Sequence, residues 1–423
     1  MLRFGFLLTG ALVLLVVTFV LYPLTEDGSF YRELVVAGLG AVITVIAAVL
    51  AAWGPLSELR KARREAHLQA KLDSGTWALS AIELGRLRIP DIVVVASAGK
   101  DTEWTDGVDL EFEESAAQRV EPEEMASLRE HRLPEQLANA ARRGTTLVDD
   151  PCVDLVAASR YFVTAGDGVR RTVYSLTPAA ATYFDFAITT ANLRAPLPPA
   201  MQLGAKTLEE HWQVRPRTIE DVSGLPAMAK VGVATVVVTS DDRLVLGLRG
   251  KTYIAGSSPG ATKAPVHVVA EGMIPTDVDR RGRLHPAVTA RRGLSEELHL
   301  KDDDAYGRVE ELRAVGFFFD QSRWQPCFAY LARIDLTWAE LQTLAPMASS
   351  YWEVERLISM PFSIDSGEAL ALLLGKHPQF ELASNHAAAA IYFALLYHHG
   401  LFKMRQELLI RPVAAPAGRQ SAS

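Results

Sequence analysis

Glu296 and Glu297 are adjacent carboxylates, and Arg292 stands four residues before the first of them. The residues around them read as one helix. Pro286 suits a first helical position, where its missing N–H costs nothing. Ala287, Ala290, Leu294 and Leu298 then recur at helical spacing and make one apolar face. On such a helix Arg292 and Glu296 are neighbours and can pair. Two carboxylates held together at a helix surface repel unless a cation or a proton relieves them. Hard cations such as Mg²⁺ take oxygen ligands of this kind and share them with substrate phosphates.

The elements that must position this helix flank it. Val231 to Val238 is a β-branched run, Ser240-Asp241-Asp242 reads as a turn, and Arg243 to Leu248 is a second strand. After the helix, Arg313 to Phe319 and Cys327 to Ile334 read as two more strands. The segment Glu271 to Leu300 resembles the Nudix box, G-x(5)-E-x(7)-R-E-U-x-E-E-x-G-U with U a bulky aliphatic residue. Arg292, Leu294, Glu296, Glu297 and Leu300 fall on it in register. Gly293 replaces the first glutamate of the R-E pair, His299 the late glycine and His285 the earlier glutamate. Pro275 to Arg283 lengthens the path back to Gly272 as an inserted polar loop. The resemblance spans roughly Lys230 to Leu401.

It implies an α/β (α+β) chain whose C-terminal part is a Nudix-like α/β/α sandwich with a mixed sheet. It also implies hydrolysis of a nucleoside-diphosphate-linked compound with Mg²⁺ or Mn²⁺ on the phosphates. Glu296, Glu297 and Arg292 then take the catalytic positions, Arg292 orienting the carboxylates. Glu296 and Glu297 are metal ligands, and Glu271, just before Gly272, is a substitute third ligand for the oxygen lost at Gly293. Arg249 at the end of the second strand and Trp324 in a loop are candidates for a substrate phosphate and a base. Both read equally well as a strand end and a rim side chain. Glu353 and Glu355 are further acids that spacing does not place. His285, His299, His398 and His399 lack a paired metal spacing and receive no chemistry.

The chain has 423 residues, room for about two or three domains. Its net charge of -7 argues against a general nucleic-acid binder. Two cysteines, Cys152 and Cys327, make no disulfide framework. Hydrophobic residues reach 49%, partly through the N-terminus. Phe4 to Thr25 and Leu34 to Ser57 carry no charge, and each has the roughly 20 residues of a membrane helix. Arg60, Lys61, Arg63 and Arg64 follow, which by the positive-inside rule puts the C-terminal part in the cytoplasm. The expectation is a multi-pass protein of the cell membrane, with the lipid bilayer as one partner and a small nucleotide-type ligand as another. Nothing in the sequence excludes a homo-oligomer.

The expected organisation is a transmembrane hairpin over 1–57, a basic juxtamembrane helix over 58–74 and an α/β region over 75–226. A Nudix-like domain over 227–412 and a disordered tail over 413–423 complete it. In the middle region Ile92 to Val95 signals a buried strand, and Gly166-Asp167-Gly168 a hairpin turn. Thr177-Pro178 reads as a helix start, with the helix running past Phe186. Tyr183, Phe184 and Phe186 either line a pocket or belong to the core. Two functions follow: a membrane-anchored Nudix-type pyrophosphohydrolase, or a degenerate Nudix domain that binds a nucleotide as a membrane-coupled sensor. Retention of Glu296 and Glu297 favours the first, and the losses at Gly293, His285 and His299 the second. Gly293 in a helix interior also predicts that alanine there adds about 1 kcal/mol, unless a neighbour needs the space.

Overall fold

The computed structural model describes residues 81–98, 108–113, 121–142, 147–164, 170–199, 201, 204–212, 219–223, 228–249, 263–300, 309–350 and 354–410. All fall within one compact unit, Ser74–Ser423. Its strands are β1 (Ala81–Leu84), β2 (Leu87–Pro90), β3 (Ile92–Ser97), β4 (Val108–Phe112), β5 (Pro151–Thr164), β6 (Arg170–Thr182) and β7 (Gly232–Val238). Then come β8 (Arg243–Arg249), β9 (Ala264–His267), β10 (Val269–Gly272), β11 (Val309–Asp320), β12 (Gln325–Ile334), β13 (Val354–Pro361) and β14 (Phe380–Leu382). The helices are α1 (Met125–Arg142), α2 (Tyr183–Ile188), α3 (Leu208–His211), α4 (Pro286–Leu298), α5 (Trp338–Leu344), α6 (Glu368–Leu373) and α7 (Asn385–Ile410).

The architecture is α+β with mixed sheets. The main sheet follows the order β14-β9-β8-β7-β12-β11-β3, with β10 also on β7 and β13 also on β8. β7 runs parallel to β12 and antiparallel to β8 and β10. Every residue of β7 is buried, which is why it reads as an unbroken β-branched run rather than an alternation. Ala234, Val236 and Val238 share a core with Ala387, Ala390, Ile391 and Ala394 of α7. Val237 shares another with Leu294 and Leu298 of α4. The two helices thus use alternate residues of the same strand, as a period of two requires. β3, from the region before residue 227, completes the sheet against β11.

A second sheet, β4-β6-β5, is built on the long hairpin β5–β6. Its strands pass through the expected hairpin positions, but the helix expected from Thr177-Pro178 does not start there. β6 continues to Thr182, and Pro178 faces Leu155 where the pairing slips. A bulge tolerates a residue with no N–H to give. The helix α2 begins only at Tyr183, whose N–H and that of Phe184 are taken up by the Asp150 carbonyl and the Asp149 carboxylate, each at 2.8 Å.

The expected transmembrane hairpin, and the membrane localisation drawn from it, are corrected. No helix among the described residues is long and apolar enough to cross a membrane. The longest, α7, has 26 residues but breaks at Gly400 (φ 78°, ψ 154°) and carries histidines, Lys403, Arg405 and Glu407. Both expected spans, residues 4–25 and 34–57, lie outside the described residues, as do the juxtamembrane segment and the tail.

The helix read from the sequence over Pro286 to Leu298 is α4. His285, in place of a box glutamate, is its N-cap: the ring Nδ1 accepts the Ala287 N–H at 3.2 Å. His299, in place of the box glycine, ends it in the left-handed region (φ 59°, ψ 29°). The Leu300 N–H returns to the Leu294 carbonyl at 3.1 Å and the His299 N–H to that of Ser295 at 3.1 Å, a closure that glycine favours. A side chain in that conformation costs about 1 kcal/mol or more. His299→Gly is therefore expected to stabilise the unit by about 1 kcal/mol, read as a higher urea midpoint at unchanged slope.

Candidate functional site

β10 pairs with β7 and packs on α4, bringing Glu271 against the helix. This close approach is what Gly293 permits. A Cβ at position 293 would lie 2.6 Å from Glu271 Cγ and 3.1 Å from Val269 Cγ1. The space vacated by the box glutamate is therefore filled by the side chain of Glu271.

Arg292 is the centre of the arrangement. Its Nε and Nη2 donate to Asp277 Oδ1 and Oδ2, both at 3.1 Å, as a two-point fork. Nη1 donates to Glu271 Oε2 at 3.1 Å and to Glu296 Oε2 at 3.2 Å. Nη2 also donates to the Gly272 carbonyl at 2.6 Å. Partial burial works against the guanidinium charge, but the bond to Asp277 and the carboxylates of Glu271, Asp277 and Glu296 outweigh it. They hold the Arg292 pKa above the ordinary arginine value. Glu297 is buried, and its Oε1 accepts the Ala270 N–H at 3.0 Å, which ties α4 to β10.

Asp277 is the member that the spacing did not reveal. It sits in the apparent insertion, yet it is 2% exposed. Its Oδ2 also accepts from Thr289 Oγ1 at 2.8 Å and from the Ile274 N–H at 3.0 Å. The loop is ordered by its own bonds, His285 N–H to the Asp277 carbonyl at 2.9 Å among them. The one available signal was an aspartate in a turn-forming Pro-Thr-Asp run ahead of an arginine-bearing helix.

The two substrate candidates lie elsewhere. Trp324 is fully buried, edge-on to Phe319 at 4.9 Å, in a turn with φ 53°. A base cannot reach its ring, so the expectation of stacking is corrected. Arg249 is buried at the end of β8, paired in register with Val354. There it faces a polar cluster in which His267 Nε2 lies 2.9 Å from His386 Nε2 and 2.8 Å from Ser384 Oγ. Burial, then the charges of His386 and Arg249, hold His267 well below the ordinary imidazole pKa. Glu355 is exposed on β13, and Glu353 lies outside the described residues.

The carboxylates are the right donors for Mg²⁺ or Mn²⁺. Their arrangement is not a metal centre. Glu271 and Glu296 are both drawn to one guanidinium nitrogen, and among the described residues no three acidic, histidine or cysteine side chains are grouped to hold an ion.

No protein-family model matches the chain, and no curated protein does. A solved structure described as an ADP compounds hydrolase is similar at 13% identity and a TM-score of 0.26, covering 60% of this chain and 98% of that one. A Nudix hydrolase from Nitrosomonas europaea is similar at 15% identity and a TM-score of 0.24, covering 41% of this chain and 90% of that one. Likeness this slight carries nothing about activity or substrate.

Two substitutions check the geometry. Asp277→Asn keeps the shape but leaves a half-buried guanidinium short of its main counter-charge, and is expected to cost about 3 kcal/mol in denaturant unfolding. Gly293→Ala is expected to destabilise by about 1–3 kcal/mol, because overpacking against Glu271 and Val269 exceeds the gain in helix propensity. A higher melting temperature for that variant would contradict the close approach of β10.

Proposed function

We propose that the face formed by β10 and α4 binds a nucleoside-diphosphate-linked compound and hydrolyses its diphosphate linkage, as a Nudix-type pyrophosphohydrolase. The observation that supports this best is the Arg292 clamp. It gathers Glu271, Asp277 and Glu296 on one side of the helix that carries the box-like residues.

The roles divide by exposure. Asp277 is buried and serves to orient Arg292. Glu297 is buried and fixes the strand to the helix. The Glu296 side chain is 35% exposed, the most open of the acids held by Arg292. It is the group able to take a proton from a water attacking phosphorus. In the family a divalent cation neutralises the phosphates. Because the acids here do not form a centre for one, the derived chemistry is confined to the chain's own groups.

A second reading is binding without turnover. The filled space at Gly293 favours it, since the acid lost there is replaced by one already engaged with Arg292.

One assay separates the two. The full chain is incubated with ADP-ribose, a dinucleotide, a nucleotide sugar and a nucleoside triphosphate, with Mg²⁺, with Mn²⁺ and with a chelator, and products are resolved by chromatography. Hydrolysis is expected, with kcat falling about 100-fold in Glu296→Gln at unchanged melting temperature. Ligand binding by calorimetry with no product under any condition would establish the second reading. Neither binding nor product would sink both.

A further inference from the structure

Lys230 packs against Gly272, whose carbonyl accepts from the Arg292 clamp, and its position is built in. Its backbone is stitched between two segments. The Val231 N–H donates to the Val153 carbonyl, Val153 to that of Met273 and Met273 to that of Val231, each at 2.9 Å. An isolated bridge pairs Lys230 itself with Asp154 of β5. The side chain then passes over Gly272, where a Cβ would stand 2.5 Å from Lys230 Cε and 2.8 Å from Nζ. Glycine at 272 is what makes room for it.

The ammonium ends over two rings of α2, 4.7 Å from the centroid of Tyr183 and 5.1 Å from that of Phe186. Aromatic faces attract a cation through their quadrupole without occupying its N–H groups as a carboxylate would. Among the described residues the ammonium has no hydrogen bond and no ion pair within 4.0 Å. The residue as a whole is half-buried. A held cation with donors to spare, beside the carbonyl that accepts Arg292, is a site for an oxyanion. Loss of water around it, and the charge of Arg292, pull its pKa below the ordinary lysine value, while the carboxylates of Glu271 and Asp150 pull the other way. Cys152 itself is buried, with its thiol pushed up to about 12, and so offers no competing nucleophile.

We propose that Lys230 is a ligand-binding residue whose ammonium donates hydrogen bonds to a phosphate of the diphosphate held at the β10–α4 face, with Tyr183 and Phe186 setting its position. This rests on the reading of that face as a diphosphate site. It goes further in assigning a phosphate contact to a residue outside the box and in making α2, from the region before residue 227, part of the site.

The test uses the full chain and inorganic pyrophosphate, with calorimetry for affinity. Lys230→Met keeps the stem and removes the charge, and is expected to weaken pyrophosphate about 10- to 100-fold, the range for a hydrogen bond to a charged group. Lys230→Arg is expected to keep most of the affinity. Wild-type affinity should weaken as pH rises and the ammonium loses its proton, and that part of the pH dependence should vanish in Lys230→Met. A purely structural lysine would lower the melting temperature and leave both the affinity and its pH profile unchanged. Equal affinity in wild type and Lys230→Met overturns the proposal alone. No pyrophosphate binding by the wild type overturns it together with the reading beneath it. Should Lys230→Met not fold, acylation of wild-type amines read by mass spectrometry decides. Protection of Lys230 by pyrophosphate supports the assignment, and unchanged labelling overturns it.

Discussion

One guanidinium organises the site. Arg292 touches an acid from β10, an acid from the loop after it, an acid one turn along its own helix and a backbone carbonyl. Without it Glu271, Asp277 and Glu296 would crowd one side of α4 as like charges, and Asp277 would be a buried charge without its main counter-ion. The geometry is specific because a planar fork can meet one carboxylate at two points while its remaining N–H groups serve others. A lysine would carry the same charge but could not hold three acids in fixed directions.

Two glycines make room for charged neighbours here. Gly293 lets Glu271 lie against the helix, and Gly272 lets Lys230 cross the strand. Both are positions where the missing side chain makes room for a charged neighbour, rather than positions that require unusual backbone angles. The close packing of β10 on α4 is secured below by Leu294 and Leu298 in a shared core, and above by the bond from Ala270 to Glu297. Packing energy from the core thus holds charged groups at distances that their own attraction alone would not maintain in water.

The departures from the box have local explanations. His285 caps α4 and His299 closes it, so both changed positions still meet the needs of the helix ends. The change at Gly293 is of another kind. Where the box has a carboxylate there is room instead for Glu271 of a neighbouring strand, which pairs with Arg292.

Much of the fold was legible because it is written in periodicity. The β-branched run of β7, the turn before β8, the two long strands β11 and β12, and the apolar face of α4 all follow from residue spacing. The pairing of Arg292 with Glu296 was legible too, since four residues along a helix are neighbours whatever surrounds them. Asp277, Lys230 and the true place of Trp324 were not. Asp277 reaches Arg292 across fifteen residues of sequence and Lys230 meets Tyr183 across an inter-strand bridge, so only the tertiary path brings them together. Trp324 sits in a polar-looking turn, and its burial depends on Phe319 and the core beneath it. Local spacing determines which side chains share a face. Which faces meet, and therefore which charges must be answered, is decided by the packing of strands distant in the chain.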